Sequence, residues 1–452
     1  MRILHYSLGL PPYRTGGLTK YSYDLMSEQI DNGDNVYLLF PGEIRLKNKK
    51  SKIKYYKSVN GIKVYEVINP LPVPLLNGIV NPNDFMRKAD EKIFITYLKK
   101  INIDIVHIHT FMGLHIEFLE ACKELNIKIV YSTHDYFGLC TKVNFINSNE
   151  QLCENIDFSK CIKCNVNGYS MTTIKILQSS MYRLAKSNGL VEFVKKINSK
   201  YNNNKYKEYY IEDKKLDINE FKNLIEYFRR MFNLVDIFLF NSTLTKEIYK
   251  KYGEFKGQVI NITHKDIEDL RKYKKYNSNK LRLTYLGPNK VYKGVNLLYE
   301  AMNKLYADGY HDIELNMYGD TEFNKVTPKI NCYGKYSYKD LTNIFEKSDI
   351  LIVPSIWYET YGFIVLEALS HGVPIMLTDK VGAKDIVLSK YGDKGIIFED
   401  NIESLYKNIV RIFENKDILS ELNKNIVEDK FELLMKHHYF QVKDKYEEIL
   451  YG

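Results

Sequence analysis

The sequence predicts an α/β protein with two doubly wound domains that face each other across a cleft. Short apolar runs typical of buried parallel strands alternate with segments of helical periodicity along most of the 452 residues. In each half, a glycine-containing loop at 9–17 or 287–294 follows the first strand and precedes a helix. The charged stretch 266–279 separates the two halves. These observations predict an N-terminal domain at 1–265, a C-terminal domain at 280–433 and, at 434–452, a last helix that crosses back to the first domain.

The first glycine loop lies between a predicted strand at 3–7 and a predicted helix at 18–32. Its Gly16-Gly17 pair permits a ligand to approach the backbone closely, because glycine has no side chain to obstruct it. Many loops contain two adjacent glycines, so the pair alone is a weak indication of a binding site.

Two predicted strands of the first domain end in histidines. Residues 104–110 form a buried strand in which alternation places His107 and His109 on one face. His134 follows the next strand, at 128–133. Ligands of open α/β sheets bind at the carboxyl ends of strands, which makes these side chains candidates for a site. Histidines that are hydrogen-bonded within the core are the alternative.

Four of the six cysteines lie within 25 residues, inside a predicted loop at 136–168. They are Cys140, Cys153, Cys161 and Cys164. Crowded cysteines in a cytosolic protein favour thiolate–metal ligation over disulfides, and Cys161-x2-Cys164 has the spacing of a two-ligand zinc motif. Cys140 and Cys153 do not repeat that spacing, so a structural zinc ion, reduced thiols and a disulfide pair all stay open. A zinc ion here would brace the loop beside the cleft and would not catalyse.

Residues at about 165–235 predict an insertion of two or three helices in the first domain, with a polar interruption near Asn202. The insertion is basic and contains tyrosines, notably in 195–207, and a second basic run, 47–57, lies in a predicted connecting segment. Two interpretations apply to both regions. One is a solvated surface, and the other is a surface that contacts anionic lipid.

The second glycine loop follows a predicted strand at 281–286 and ends in Lys293-Gly294 before a helix. An ammonium group beside backbone amides at a helix start suits a diphosphate, because it neutralises the charge of the phosphates. The loop therefore predicts a phosphate-binding position in the second domain.

A strand, a short loop and a helix are predicted at 349–370, in the middle of the second domain. The carboxyl edge of a strand and the free amides of a helix N-terminus suit a phosphate. Glu359 and Glu367 bracket this position, and because carboxylates repel phosphate we expect them to bind sugar hydroxyls. The alternative is that Glu367 only favours the helix dipole and Glu359 is solvated.

The Glu359-x7-Glu367 pair follows Pro354-Ser355, includes Tyr361-Gly362-Phe363 and continues as Glu-Ala-Leu-Ser-His-Gly-Val-Pro at 367–374. Together these motifs resemble the retaining family 4 glycosyltransferases of the GT-B fold. The resemblance covers most of the chain except about 165–235. It implies two Rossmann-like doubly wound domains facing a cleft, with a helical insertion in the first. It also implies transfer of a sugar from a nucleotide-diphosphate donor to an acceptor hydroxyl, with retention of the anomeric configuration.

The resemblance also implies roles for the residues at matching positions. Glu359 would orient the donor sugar, Glu367 would hold the ribose, and Lys293 would neutralise the departing diphosphate. His109 would contact the donor sugar near the anomeric carbon. The remaining donor-site positions are Gly17, the base contacts Lys335 and Tyr336, and the backbone of Tyr361, Gly362 and Phe363. Arg14 and His134 are candidates on the acceptor side, and a solvated arginine is the alternative for Arg14.

One position departs from the resembled pattern. The family places an arginine directly after the first glycine of the second glycine loop, where this chain has Pro288. Half of the usual cationic clamp is therefore absent or replaced, and Lys290 and Arg14 are the candidate replacements.

The resemblance implies a nucleotide-diphosphate sugar as donor and a growing polysaccharide or lipid-linked glycan as acceptor, in cell-surface polysaccharide biosynthesis. No Asp-x-Asp of metal-dependent transferases stands at a predicted strand end, so we expect no catalytic metal. A subset of the same glycosyltransferases has His-Asp-Tyr followed by four cysteines, as at 134–164 here, which keeps a structural zinc ion under consideration.

Composition limits the location and the partners. The formal charge of +9 fits an anionic small substrate, anionic lipid or nucleic acid. No apolar run approaches the roughly 20 residues of a membrane span, and the start resembles a strand more than a signal peptide. We therefore expect a cytoplasmic protein, with peripheral contact at the inner face of the cell membrane as a further expectation.

Two alternative functions remain. One is a nucleotide-sugar epimerase of the same fold, and the other is a non-enzymatic basic protein that binds through its cysteine cluster. Glu154 and Asp157 lie between the cysteines, which disfavours nucleic acid as the partner of such a protein, and we expect no nucleic-acid binding.

Overall fold

Two mainly parallel sheets organise the chain in the computed structural model, which describes residues 1–45, 50–190, 217–319, 328–388 and 392–452. The first sheet has eight strands, in the order β3-β4-β2-β1-β5-β6-β7-β8. They are β1 (Arg2–Tyr6), β2 (Asn35–Pro41), β3 (Lys52–Val59), β4 (Ile62–Ile68), β5 (Ile105–Ile108), β6 (Lys128–Ser132), β7 (Ile237–Phe240) and β8 (Gly257–Val259).

The second sheet has six strands, in the order β11-β10-β9-β12-β13-β14. They are β9 (Leu281–Leu286), β10 (Ile313–Tyr318), β11 (Ile330–Cys332), β12 (Ile350–Val353), β13 (Ile375–Thr378) and β14 (Gly395–Phe398). All the pairs in this sheet run parallel within the described residues. Two doubly wound α/β domains were predicted, and the structure confirms them.

Helices cover the sheets of both domains. The first domain has α1 (Gly17–Asp31), α2 (Glu91–Ile101), α3 (Ile116–Glu124), α4 (Phe158–Asn165), α5 (Met171–Leu177), α6 (Ser180–Ser187), α7 (Ile218–Asn233) and α8 (Thr243–Lys250). The second has α9 (Val295–Ala307), α10 (Leu341–Glu346), α11 (Phe363–Leu369), α12 (Lys384–Val387), α13 (Ile402–Glu414) and α14 (Asp417–Glu428), and the chain ends with α15 (Met435–Tyr451).

The central strands are continuous apolar runs because neighbouring strands and helices surround them. Every residue of β12 is at most 2% exposed, and β5, β7 and β13 are buried along their whole length. Parallel strands covered on both faces have this composition, whereas half-exposed strands alternate. Burial on both faces leaves the carboxyl ends of the strands as the edge where loops can bind a ligand.

One predicted loop is a strand instead. The basic run at 47–57 was expected to be a connecting segment, but Lys52–Val59 forms the antiparallel edge strand β3. Asn60 and Gly61 both have positive φ, 47° and 84°, which is the geometry of a type I′ hairpin turn. The turn pairs β3 with β4, and the lysines of β3 stay exposed because an edge strand has one free side.

The predicted helical insertion is partly described. Helices α5, α6 and α7 lie within it, whereas the basic stretch 195–207 falls outside the described residues. In the part of the chain that is described, no helix combines the length and the apolar character needed to cross a bilayer.

The last helix packs against the first domain. The hydroxyl of Tyr446 lies 2.6 Å from Nδ1 of His107, and the hydroxyl of Tyr439 donates to Asp34 at 3.1 Å. Tyr21 of α1 contacts His438 of α15 at 2.7 Å. Because α15 follows the second domain in the chain, these contacts tie the end of the chain back to the first domain.

Candidate active site

A cleft of about 620 Å³ lies between the two domains. The first domain contributes Gly16 and Gly17, at the start of α1. The second domain contributes the loops that follow β9 and β12, the first turns of α11 and the segment 336–338. The carboxyl ends of β9 and β12 therefore form its floor, as expected for a ligand site in an open parallel sheet.

Lys293 and Glu359 form the charged centre of the cleft. Lys293 Nζ lies 2.7 Å from Glu359 Oε1, and Ser355 donates its hydroxyl to Glu359 Oε2 at 2.6 Å. Burial alone would raise the pKa of Glu359, but the charge of Lys293 and the hydrogen bonds outweigh it, so that the pKa is lowered. The carboxylate is therefore ionised at neutral pH, and both of its oxygens have partners.

The backbone positions both members of this pair. Glu359 donates its N–H to Lys380 and accepts from the N–H of Gly382, both at 2.9 Å. Lys293 ends a single 3₁₀ turn, and Gly294 follows it with φ 74°. A Cβ at Gly294 would lie 1.7 Å from the carbonyl oxygen of Pro354, so only glycine permits the two loops to touch.

Trp357 is the single tryptophan of the chain and lies beside the pair. Lys293 Nζ is 5.2 Å from the centre of its ring, within the range of a cation–π contact. Tyr292 packs edge-on against the same ring, with centroids 5.4 Å apart. The indole therefore reports on the centre of the cleft.

Glu367 lines the cleft from α11 and is 4% exposed. His264 Nε2 lies 3.3 Å from Glu367 Oε1. A buried carboxylate at the edge of a binding cleft suits a ligand that donates hydrogen bonds to it, such as a pair of sugar hydroxyls.

The other predicted donor-site residues fall into two groups. Tyr336, Gly362 and Phe363 line the cleft, as Gly17 does. A Cβ at Gly17 would lie 3.5 Å from the Phe363 ring, so the two domains nearly touch there.

Lys335 and Tyr361 do not line the cleft. Lys335 is exposed, and the ring of Tyr361 is buried. The carbonyl of Tyr361 accepts from Ala383, so that this carbonyl already has a partner.

No cation stands at position 288, where the resembled family has an arginine and this chain has Pro288. Pro288 lines the cleft, and its carbonyl accepts from the Tyr285 hydroxyl at 2.9 Å. Neither candidate replacement reaches the cleft, since Lys290 is exposed and Arg14 stacks on Tyr13 at 4.5 Å. Among the described residues, Lys293 is the only lysine or arginine that lines the cleft.

The structure does not bring His109 or His134 to the cleft. His109 is fully buried, with Nε2 2.9 Å from Nδ1 of His5 and Nδ1 3.2 Å from Nε2 of His134. His5 Nε2 in turn faces the amide oxygen of Gln29 at 2.7 Å, and Asn241 Nδ2 faces His134 Nδ1 at 3.0 Å. We name His5, His109 and His134, with these two amides, the histidine chain.

One arrangement of protons satisfies the whole histidine chain. The amide oxygen of Gln29 only accepts, so His5 donates from Nε2 and accepts at Nδ1. His109 therefore donates Nε2–H to His5 Nδ1 and accepts at Nδ1 from Nε2–H of His134. His134 in turn accepts at Nδ1 from the amide of Asn241. All three rings are then neutral, and burial lowers the pKa of each below its ordinary value.

Helix α15 explains why the histidines turn away from the cleft. Tyr446 contacts both His107 and Gln29, and His438 packs 5.4 Å from the ring of Tyr21, which itself packs against His109 and His134. The expected contact of His109 with a donor sugar therefore lacks a geometric basis here. Strand alternation placed His107 and His109 on one face, but gave no sign that a later helix would cover it.

The cysteine loop collects its four thiols in one region. Burial raises the pKa of Cys140 to about 11 and of Cys161 to about 12, and the neighbouring cysteines add to both shifts. No three of the four sulfur atoms lie within 4.8 Å of one another, and all six cysteines of the chain are free. Four soft sulfur donors on one loop are nonetheless a donor set that suits zinc.

Direct contacts join the domains beside the cleft. The Ser242 hydroxyl donates to the carbonyl of Thr360 at 2.9 Å, and the backbone N–H of Thr243 donates to Asp385 at 2.6 Å. Thr360 also donates its hydroxyl to the carbonyl of His134 at 3.2 Å. His134 therefore contacts the loop that carries Glu359 through its main chain, although its ring lies outside the cleft.

Comparison with known proteins gives the fold and its family. The model for "Glycosyl transferases group 1" matches residues 266–430, and the model for "Glycosyltransferase Family 4" matches residues 15–151. Together the two matches span about two thirds of the chain. The glycosyltransferase from Rickettsia africae superposes with a TM-score of 0.58 at 16% identity, covering 100% of this chain and 99% of that one.

Two further relatives are informative. HepE of Anabaena, solved with UDP-glucose, superposes with a TM-score of 0.55 at 12% identity over 99% of this chain and 100% of that one. The UDP-Gal:α-D-GlcNAc-diphosphoundecaprenol α-1,3-galactosyltransferase of Escherichia coli is 28% identical over 109 residues, which is 24% of this chain and 27% of the relative. The chain thus spans about a quarter of the length of this curated relative.

The fold and the cleft define a two-domain α/β protein of the GT-B class. The family matches go one step further: the chain carries a family 4 glycosyltransferase domain at 15–151, followed by a group 1 glycosyl transferase domain at 266–430.

Proposed function

We propose that the protein transfers a sugar from a nucleotide-diphosphate donor to a hydroxyl of a lipid-linked glycan, with retention, in the biosynthesis of a cell-surface polysaccharide. The observation that carries the proposal is the convergence of Lys293, Glu359 and Glu367 on one interdomain cleft. HepE binds UDP-glucose and the Escherichia coli relative uses a diphosphoundecaprenol acceptor, and both support the chosen substrate classes.

The bond between the anomeric carbon and the diphosphate oxygen breaks in this reaction. Lys293 neutralises the negative charge that develops on the departing diphosphate, at the point where the loops after β9 and β12 meet. The acceptor oxygen bonds to the anomeric carbon from the leaving-group side, and its proton passes to the departing phosphate oxygen. The nucleoside diphosphate is the second product.

Glu359 orients the donor sugar and is not the nucleophile in this proposal. Its two oxygens are already held by Lys293 and Ser355, which stabilises the carboxylate and reduces its nucleophilicity. Transfer without a glycosyl–enzyme intermediate accounts for retention when the acceptor attacks on the face that the diphosphate leaves. Proton NMR of the product should show the donor's anomeric configuration at the new glycosidic bond, which does not mutarotate.

The proposal requires no catalytic metal, because Lys293 supplies the positive charge at the leaving group. We therefore expect the initial rate to be unchanged by a chelator. A rate that falls on chelation and recovers with added Mg²⁺ or Mn²⁺ would contradict this part of the proposal.

Donor binding is tested first, by the fluorescence of Trp357. Titration with UDP, ADP and GDP, and with their sugar conjugates, should change the emission, because the indole lies beside Lys293. Glu367→Ala should weaken binding of the best ligand about tenfold or more, since charged hydrogen bonds to the ribose are lost. A wild-type protein that responds to none of these ligands, by fluorescence or by thermal shift, would refute the donor class.

A surface beside the acceptor side supports a membrane-bound acceptor. Residues 158–190 contain no aspartate or glutamate and five lysines and arginines, of which Arg183 is buried and paired with Glu66. Ile176, Met181 and Leu184 are 58%, 82% and 64% exposed on α5 and α6. Tyr13, in the first glycine loop, donates to the carbonyl of Leu177 at 3.2 Å, which places this surface next to that loop.

Exposed apolar side chains among basic residues suit the interface of an anionic bilayer. Sedimentation with phosphatidylglycerol vesicles, and not with phosphatidylcholine vesicles, is the expected result, and Met181→Glu should reduce it. Equal activity on a lipid-diphosphate glycan and on the free glycan would argue against the lipid-linked acceptor.

A structural zinc ion held by Cys140, Cys153, Cys161 and Cys164 is a further part of the proposal. It would fix the loop that connects β6 with α4 and take no part in the reaction. The thiols of Cys140 and Cys161 are neutral at pH 7 without a cation, because burial raises the pKa of both. Metal analysis after chelator-free purification should give one zinc per chain, with none in Cys161→Ser, and a metal-free wild type would reject the site.

A further inference from the structure

His264 occupies an unusual position in the segment that joins the two domains. It lies between β8 and β9, its ring is fully buried, and neither ring nitrogen forms a hydrogen bond within the described residues. Buried polar atoms normally have partners, because leaving them unpaired costs stability. An unpaired buried imidazole beside a binding cleft therefore points to a partner that forms in another state of the site.

The ring faces the cleft through three neighbours. Nε2 lies 3.3 Å from Oε1 of Glu367, close enough for a hydrogen bond but without its geometry. Its ring centre is 5.0 Å from that of Phe363 and 5.5 Å from that of Tyr338, and both aromatic residues line the cleft. In the part of the chain that the structure describes, no lysine or arginine lies within 4.0 Å of the Glu367 carboxylate.

We propose that His264 is a positioning residue for the donor ribose, donating Nε2–H to the Glu367 carboxylate once ribose hydroxyls bind it. This rests on the proposed function, in which Glu367 holds the ribose. A carboxylate accepts several hydrogen bonds, so the imidazole and two hydroxyls can be accommodated together. A small rotation of either side chain aligns the 3.3 Å contact into a hydrogen bond.

The orientation of Glu367 is the property that His264 controls. A glutamate side chain has several rotamers, and a fixed donor on one oxygen selects the one that faces the ribose. The aromatic rings of Phe363 and Tyr338 hold the imidazole in place from two sides. His264 therefore acts through Glu367 and needs no contact with the donor itself.

The experiment compares nucleotides that differ only in the ribose hydroxyls. UDP with 2′,3′-dideoxy-UDP, and ADP with 2′,3′-dideoxy-ADP, are titrated by Trp357 fluorescence and calorimetry. The wild type should prefer the hydroxylated form of the better-binding pair by about tenfold or more. His264→Phe should bring that ratio close to one by weakening the hydroxylated ligand, with little change for the dideoxy ligand.

Three variants separate positioning from a general structural effect. His264→Gln keeps an N–H donor at similar reach and should retain part of the ratio. His371→Gln is the matched control. His371 meets Glu367 at its main-chain oxygen, at 2.7 Å, so this variant should leave the ratio unchanged. Adding His264→Phe to Glu367→Gln should cause no further loss, because one residue acts through the other.

The outcomes distinguish the two proposals. A wild type that binds hydroxylated and dideoxy nucleotides equally, or binds neither, refutes the ribose role of Glu367. A wild type that discriminates, together with His264→Phe that keeps the full ratio, refutes the inference and leaves the proposed function standing. If His264→Phe lacks the thermal transition of the wild type, the variant is not folded, and the test is then made by NMR on the wild-type protein. An imidazole N–H proton signal must then appear with UDP or ADP and not with the dideoxy form, and its absence refutes the inference.

Discussion

The cleft and the histidine chain are two sets of titratable groups at the same edge of parallel sheets, and they have opposite character. In the cleft, Lys293 and Glu359 are charged, partly exposed and paired at 2.7 Å. In the histidine chain the rings are neutral, and His5 and His109 are fully buried. Position at the carboxyl end of a strand is common to both sets, so this position alone does not make a binding site.

The difference comes from what covers each set. Gly16 and Gly17, at the start of α1, line the cleft from the first domain and have no side chain that could fill it. The histidine chain is closed by α15, which contributes Tyr446 and His438. Water is excluded there, and burial then favours the neutral form of each imidazole.

The largest expected effect comes from removing Lys293, the one lysine or arginine that lines the cleft among the residues that the structure describes. Lys293→Ala should lower kcat/KM about 10³-fold, since the charge developing on the departing diphosphate loses its stabilising partner and Glu359 is left with the Ser355 hydroxyl. Lys290→Ala is the matched control, because Lys290 belongs to the same loop, is exposed and does not line the cleft. Initial rates with saturating acceptor measure both, and equal losses in the two variants would contradict the assignment.

Acid should destabilise the histidine chain and the two buried histidines beside it, His107 and His438, well before it affects the cleft pair. The pKa is lowered for His5 and His438 to about 4, for His134 to about 3, and for His107 and His109 well below the ordinary value, in each case by burial. The unfolded chain takes up these protons below about pH 6.5, so stability is full above that pH and falls as the pH decreases.

The five rings together should lower the free energy of unfolding by roughly 3 kcal/mol between pH 7 and pH 6. Urea midpoints at the two pH values measure this loss. Side-chain NMR should also show these imidazoles unprotonated at pH 6 while the chain stays folded. Midpoints that do not move, or buried rings that titrate near pH 6.5, would remove the contrast with the cleft.

The sequence was sufficient for the fold and for most of the donor side of the site. Strand–loop–helix patterns with glycines predicted both sheets, and Glu359, Glu367 and Lys293 do meet in one cleft, because their loops follow adjacent parallel strands. The spacing of apolar residues and glycines within a short stretch of sequence is enough to place residues of this kind at the end of a strand.

Positions that depend on distant parts of the chain were not predicted. His107, whose ring packs 4.3 Å from that of His109, contacts Tyr446 of α15, which lies 339 residues later in the chain. His264 reaches Glu367 from the interdomain segment, and a histidine among charged residues gives no local signal of that contact. Ser355 was recognised only as part of the Pro354-Ser355 motif that precedes Glu359, and not as the residue whose hydroxyl holds Glu359.

The next smaller effect on activity is expected from changes to Glu359, the partner of Lys293 in the cleft. Glu359→Gln should lower kcat/KM about 10²-fold, because the amide neither orients the sugar hydroxyls as a carboxylate does nor fixes Lys293. The free energy of unfolding should change little, since Lys293 is then freer to be hydrated. Ser355→Ala should give a smaller loss in the same direction, as it removes one of the two partners of the carboxylate.

The smallest effect on activity is expected from Tyr446→Phe, and this variant distinguishes the cleft from the histidine chain most clearly. Tyr446→Phe removes the hydroxyl that contacts His107 at 2.6 Å and leaves the ring of α15 in place. Unfolding free energy should fall by about 1–3 kcal/mol, because the buried imidazole nitrogen of His107 loses its partner. The kcat/KM of the folded enzyme should stay within about twofold of the wild type, since the cleft and Tyr446 share no side-chain contact among the described residues. A large loss of activity at unchanged stability would show that the histidine chain acts on the cleft, and that the two regions form a single functional unit.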